Sequence, residues 1–157
     1  MLRGRRRFAR LGCVKRCVLV VVAACTGGGS GGEQLVELEN EGEACLFGLA
    51  SDPLSFVDGA PIHVRVRYDV CLSSSCTLDA MAACSITIVD DHTIGIETRA
   101  SWIDTSASAT ACTADCGGLT ATCDTPHFVP GDYTFVVGAR SVPLTLPSTV
   151  SATPCIR

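Results

Sequence analysis

The stretch "HVRVRYDV", His63–Val70, alternates strictly, with Val64, Val66, Tyr68 and Val70 on one parity and His63, Arg65, Arg67 and Asp69 on the other. Successive side chains of a strand point to opposite faces. A period of two therefore describes a strand with one buried apolar face and one solvated polar face. A helix carrying the same pattern would scatter its valines around the whole circumference. The next periodic stretch agrees. In "SITIVDDHTIGIETRASW", Ser85–Trp102, Ile86 and Ile88 share a face of one arm, and Ile94 and Ile96 share a face of the other. Asp90, Asp91, His92 and Thr93 supply the turn between the arms, since short polar side chains there bond their own backbone.

Working outward, "LTATC" (Leu119–Cys123) is a short strand, and "VPGDYTFVVGARSVPLTLPS" reads as two strands around a turn at Gly138 to Ser141. Pro143 and Pro147 lack an N–H to donate and confine the last strand to an edge. Between them, the Ser/Thr/Ala-rich segment Asp104–Gly118 has no period and reads as a loop pinned by Cys112 and Cys116. No segment has a 3.6-residue period. Several short strands separated by Gly, Pro, Asp and Ser predict an all-β sandwich. Hydrophobic residues are 47% of the chain but aromatics only 5%, so the core is expected mainly from Val, Ile, Leu and Ala. "PGDYTF", Pro130–Phe135, resembles the corner before a late strand of immunoglobulin-like and fibronectin-like domains. That resemblance implies an immunoglobulin-like β-sandwich in which the Tyr133 hydroxyl bonds back to the backbone. It concerns fold and carries no activity.

The other end of the chain reads as an address. Seven of the 12 Lys and Arg precede Cys25, and all 16 Asp and Glu follow it. The apolar run from Cys17 to Cys25 has nine residues, bounded by Lys15 and Arg16 before it and "TGGGSGGE" after it. A spanning helix needs about 20 apolar residues. A basic region, a short apolar run and a small-residue processing site instead describe an export signal. Val22-Ala23-Ala24-Cys25 resembles a bacterial lipobox, with Val where Leu is commonest. The resemblance implies lipidation of Cys25, cleavage before it and membrane attachment through N-terminal acyl chains. The glycine-rich tether that follows fits this. Thr26, in place of Asp, favours the outer membrane over the inner. Arg5-Arg6-Arg7-Phe8-Ala9-Arg10 also resembles a twin-arginine export motif, although arginine-rich starts match it by chance and ordinary secretion is preferred. The expected organisation is a signal peptide at 1–24, a lipidated cysteine with a Gly/Ser and acidic tether at 25–43, and a Cys-rich β-sandwich at 44–157. Within "GEQLVELENEGEA", Gly32–Ala44, Leu35 and Val36 are candidates for an edge strand. The cysteine-rich plan resembles small, mostly uncharacterised lipoproteins of myxobacteria and their relatives, which implies a location and no activity.

From Cys25 onward, five arginines stand against sixteen carboxylates, a net −11. Such a domain repels nucleic acid. Three of the 11 cysteines, Cys13, Cys17 and Cys25, lie in or at the end of the leader. The remaining eight are Cys45, Cys71, Cys76, Cys84, Cys112, Cys116, Cys123 and Cys155. An even number in an exported domain reads as a disulfide framework. Eight cysteines allow about a hundred connectivities, so the pairing stays open. Cys45 with Cys155, near the two ends, is the one geometric guess. The competing reading is a metal-thiolate site built from Cys71-x4-Cys76-x7-Cys84 or Cys112-x3-Cys116-x6-Cys123. Neither triplet has paired C-x-x-C spacing, which also excludes a thioredoxin-like motif.

Catalytic motifs are absent. There is no G-x-S-x-G elbow, H-E-x-x-H, Walker A or G-x-G-x-x-G. Ser73-Ser74-Ser75 fits a disulfide-pinned loop better than an activated nucleophile. His63, His92 and His127 are the only histidines, and their spacing points to no shared metal. Asp90 and Asp91 lack the further oxygen ligands of a calcium loop. The expectation is a non-enzymatic, membrane-anchored envelope module without cofactor or metal, binding another envelope protein or a glycan. The alternative is a small secreted metal-binding or hydrolytic β-domain using the loop histidines and carboxylates.

Overall fold

A computed structural model describes residues 32–157. The leader, the lipobox and Cys25 lie outside the described residues. Within them the chain forms strands and no helix. The first sheet holds β1 (Gln34–Glu39), β5 (Thr77–Ile88), β6 (Thr93–Asp104), β8 (Gly131–Val137) and β9 (Arg140–Leu146). The second runs in the order β11 (Cys155–Ile156), β2 (Glu43–Phe47), β4 (His63–Leu72), β7 (Gly117–Asp124). A short pair, β3 (Ser55–Phe56) and β10 (Ser148–Thr149), lies apart from both.

The alternation that decides the fold is realised in β4. Val64, Val66 and Tyr68 are buried while His63, Arg65, Arg67 and Asp69 are exposed. The hairpin forms as expected, with Ile86 opposite Ile96 and Ile88 opposite Ile94. Ile94 and Ile96 enter the core; Ile88, on the outer arm, remains half exposed. Asp90 Oδ1 accepts the His92 N–H at 2.8 Å and shapes the turn. β9 is an edge strand, in keeping with Pro143 within it. The β8–β9 turn is tighter than expected. Val137 pairs with Arg140, so Gly138 and Ala139 alone make the connection, and Gly138 takes the positive φ of 56° that such turns require.

The folded part reaches back to Gln34, ahead of the boundary at residue 44 expected from the sequence. β1 pairs with β6 from Gln34↔Asp104 to Glu39↔Arg99. It shares one edge of β6 with β8, which pairs in parallel at the other end of that edge, Thr93↔Thr134 to Gly95↔Val136. β5 takes the opposite edge. This three-residue parallel pairing stands in a sheet whose other pairings are antiparallel.

The two sheets bury one core between them. Ile94, Ile96, Phe135, Val137, Leu144 and Leu146 of the first meet Ala44, Leu46, Val64, Val66 and Ile156 of the second. Aliphatic residues dominate, as the composition implies, but the few aromatics are placed centrally. Phe128 packs tilted against Tyr133 at 4.8 Å and edge-on to Phe135 at 6.3 Å, the latter an arrangement favoured by the ring quadrupole. The Tyr133 hydroxyl donates to the Val129 carbonyl at 2.9 Å, the corner bond that "PGDYTF" suggested. Gly48 lets β2 end against β3, since a Cβ there would sit 1.8 Å from the Ser55 carbonyl oxygen.

All eight cysteines downstream of Cys25 form disulfides: Cys45–Cys155, Cys71–Cys116, Cys76–Cys112 and Cys84–Cys123. Cys84–Cys123 ties β5 of one sheet to β7 of the other. Cys45–Cys155 joins directly opposed residues of β2 and β11. The remaining two pin the segment between β6 and β7 to the ends of β4 and β5. A framework of this kind forms and persists in an oxidising, extracytoplasmic compartment.

Candidate binding face

The outer face of the second sheet is a grid set by strand register. One row holds Phe47, His63 and Asp124; the next holds Cys155, Cys45, Arg65 and Thr122. A third holds Glu43, Arg67 and Thr120, with Arg157 against Glu43. Because two residues advance a strand by about 6.7 Å, the exposed cations of β4 stand in a line at that interval. Three of the five arginines downstream of Cys25 are gathered here, on a domain whose net charge is −11.

Each charged group has a distinct setting. His63 Nδ1 meets Asp124 Oδ1 at 2.6 Å, with both side chains about half exposed. Arg157 pairs with Glu43. Arg65 lies over the Phe47 ring, its guanidinium carbon 5.1 Å from the centroid, a cation–π contact that limits the side chain's wandering. Among the described residues, neither Arg65 nor Arg67 forms an ion pair. Beside this row a cleft of 450 Å³ opens between the β2–β3 connection and the sheet, lined by Phe47, Leu49, Pro53, His63, Arg65 and Thr122 among others. Its size is that of ordinary small-ligand sites.

The other residues singled out by the sequence do not converge. His92 Nδ1 lies 3.0 Å from the Asp132 carbonyl, in the β5–β6 turn. His127 Nδ1 lies 2.7 Å from the Gly59 carbonyl, ahead of β8. Asp90 is engaged with its own turn, and the backbone N–H of His92 is the main reason its carboxyl titrates below the usual range. Among the described residues the one triad of potential ligands within reach of a single ion is Glu43, Cys45 and Cys155. Two of its members are joined in a disulfide, so it offers no thiolate. The metal-thiolate reading of the cysteine triplets fails for the same reason.

Ser73, Ser74 and Ser75 form a hydroxyl knot with the pinned loop. Ser73 Oγ lies 2.9 Å from Thr113 Oγ1. The Ser74 N–H donates to Asp115 Oδ2 at 3.2 Å, and the Thr113 hydroxyl donates to Asp115 Oδ1. These bonds, the Thr113 hydroxyl first, hold the Asp115 carboxyl below its usual range. No histidine takes part in this network among the described residues. In the core, Tyr68 packs near Thr98, yet its hydroxyl has no partner at hydrogen-bonding geometry, and burial raises its pKa.

The fold and this face define a disulfide-stapled all-β sandwich with a cationic stripe on one sheet. No protein-family model, curated protein or solved structure matches the chain.

Proposed function

We propose that the protein is a lipid-anchored module of the bacterial cell envelope that works by binding and not by catalysis. The observation that carries this reading is the pairing of all eight cysteines downstream of Cys25. It supports export, and Val22–Cys25 then supplies the attachment, with Cys25 as the lipidated residue. Multiple acyl chains give durable anchoring where a single chain does not. A rigid sandwich on a short tether suits presentation of a surface. The cation–π contact of Arg65 with Phe47 and the cleft beside it support recognition as the role. The partner is an envelope protein or a glycan, and the outer membrane is the preferred location. The test is Cys25→Ser in the full chain, followed by detergent phase partitioning and intact mass. Wild-type protein is expected in the detergent phase with the mass of residues 25–157 plus acyl chains. The variant is expected in the aqueous phase. Equal partitioning of the two overturns the anchor.

A further inference from the structure

We infer that the outer face of the β11-β2-β4-β7 sheet binds an acidic polysaccharide, with its carboxylates on Arg65 and Arg67 and a sugar ring in the cleft beside Phe47. The inference deepens the binding role proposed above and rests on it.

Charge segregation is the first argument. Sixteen carboxylates outnumber five arginines in this part of the chain. Arg99 pairs with Glu39 within the first sheet, its Nε 3.8 Å away, and Arg157 pairs with Glu43. Arg65 and Arg67 form no ion pair among the described residues. They stand two residues apart on β4: Arg65 lies between Cys45 and Thr122, and Arg67 between Thr120 and Glu43, whose carboxylate Arg157 already engages. Guanidinium groups recognise carboxylates through paired parallel N–H donors, a geometry an ammonium lacks. Two such groups in line along a strand match a chain that carries carboxylates at intervals.

The second argument is preorganisation. The Phe47 ring holds Arg65, so less side-chain freedom is lost on binding. The Cys45–Cys155 bridge fixes the neighbouring strands. The adjoining cleft combines an apolar wall, Leu49 and Pro53, with hydrogen-bonding groups on His63, Thr122 and Asp124. A pyranose ring presents the same mixture of C–H faces and hydroxyl edges. The third argument is charge density. Double-stranded DNA carries one charge per about 1.7 Å. Two unpaired guanidiniums on a domain of net −11 cannot hold such a polymer, whereas a uronate chain is far more dilute in charge.

The test uses full-length protein extracted from membranes in detergent. Affinity electrophoresis through gels containing polygalacturonate is compared with gels containing its methyl ester, which keeps the backbone and removes the charge. Wild-type protein is expected to be retarded by the acid form alone. The Arg65→Gln/Arg67→Gln double variant should bind about tenfold more weakly, the size two partly exposed charge contacts support. Arg99→Gln, on the other sheet, should bind as wild type does. An unchanged disulfide count by mass and an unchanged near-ultraviolet circular dichroism spectrum establish that the variants are folded. No retardation of wild type, equal retardation by the ester, or equal loss in Arg99→Gln overturns the inference. Equal retardation by single-stranded DNA assigns the effect to generic polyanion attraction and overturns it as well. The outcome is separable from the anchor: loss of glycan binding with detergent partitioning intact removes this inference alone, and the reverse result removes only the lipid attachment.

Discussion

Removal of single disulfides measures how the framework distributes its stabilisation. A disulfide acts largely by shortening the loops available to the unfolded chain. Cys45–Cys155 encloses the other three bridges, Cys71–Cys116 encloses Cys76–Cys112, and Cys84–Cys123 crosses both of these, so the relevant loop is the one left open when the other three remain. Cys45–Cys155 spans 110 residues along the chain and Cys71–Cys116 spans 45. With the others intact, the shortest covalent path between Cys45 and Cys155 crosses at Cys71–Cys116 and is about 65 residues long. The path between Cys71 and Cys116 crosses at Cys76–Cys112 and is only about 9. Loop-closure entropy then assigns about 4.3 kcal/mol to the terminal bridge and about 2.6 to the inner one. Treating the loops as independent gives about 4.8 and 4.0. The two pictures thus differ in the gap between the variants, about 1.7 against about 0.8 kcal/mol. Both variants, Cys45→Ala/Cys155→Ala and Cys71→Ala/Cys116→Ala, remove bridges outside the buried core, so packing losses are small in each. Guanidinium unfolding followed by fluorescence of Trp102, the only tryptophan, reads the difference. With an m-value of about 4 kcal/mol/M, the midpoints should differ by about 0.4 M, the terminal variant being the less stable. A gap at or below the independent-loop value, or a reversed order, refutes the nested reasoning.

The two tyrosines should respond oppositely to loss of their hydroxyls. Tyr133→Phe removes the bond to the Val129 carbonyl and should cost about 1 kcal/mol. Tyr68→Phe removes a buried hydroxyl that has no partner, and should leave stability unchanged or raise it by about 1 kcal/mol in the same unfolding assay; a clear loss would show that the hydroxyl is satisfied. The loop knot should loosen in acid. The Asp115 carboxyl titrates lower folded than unfolded, so its contribution is present above the usual value of 3.8 and is lost as pH falls through the folded value. Hydrogen exchange at the Ser74 amide, measured relative to its intrinsic rate, should therefore accelerate below about pH 4 in the wild type. In Asp115→Asn the same amide should show no such step, and a step retained in the variant would assign the effect elsewhere.

The strands that announce themselves in the sequence are those whose alternation meets no interruption. "HVRVRYDV" and the β6 arm after Asp90–Thr93 bury one parity and expose the other, and the β5 arm before the turn keeps the same alternation with Ile86 partly buried and Ile88 exposed, so periodicity locates them. The first half of β5 is hidden for a physical reason. Asp79 takes a positive φ of 51°, and the register against β6 shifts between Leu78 and Met81. A bulge of this kind breaks the period of two. Leu78 and Met81 are then left substantially exposed, so "TLDAMAAC" shows no apolar stripe. β1 was half legible: Leu35 and Val36 marked an edge strand, and β1 is one, but "QLVELE" is mostly solvated, so no pattern gave its bounds. β3 and β10 have two residues each, too short for any pattern.

The candidate face was half legible. The polar parity of β4 displays His63, Arg65 and Arg67 as a solvated row. What the sequence does not display is the neighbourhood of that row. Phe47 lies sixteen residues before His63, Asp124 lies 61 residues after it, and Arg157 is later still. Only the order of the strands makes them neighbours. The scarcity of arginine downstream of Cys25 was the available clue, since three of five then share one sheet. The disulfide pairs were illegible for the same reason, except at the ends, where the guess of Cys45 with Cys155 matches the observed pair.

The nesting of the bridges also governs what a protease can achieve. Cys45–Cys155 encloses the other three disulfides. Every peptide bond between those two cysteines is therefore spanned by at least one covalent cross-link. A single cut in an exposed connection, such as the one between β6 and β7, releases no fragment and leaves both halves joined. The nicked molecule keeps its cross-linked sheets and runs as one band until it is reduced. A protease that reaches such a connection thus breaks the chain without dismantling the sandwich.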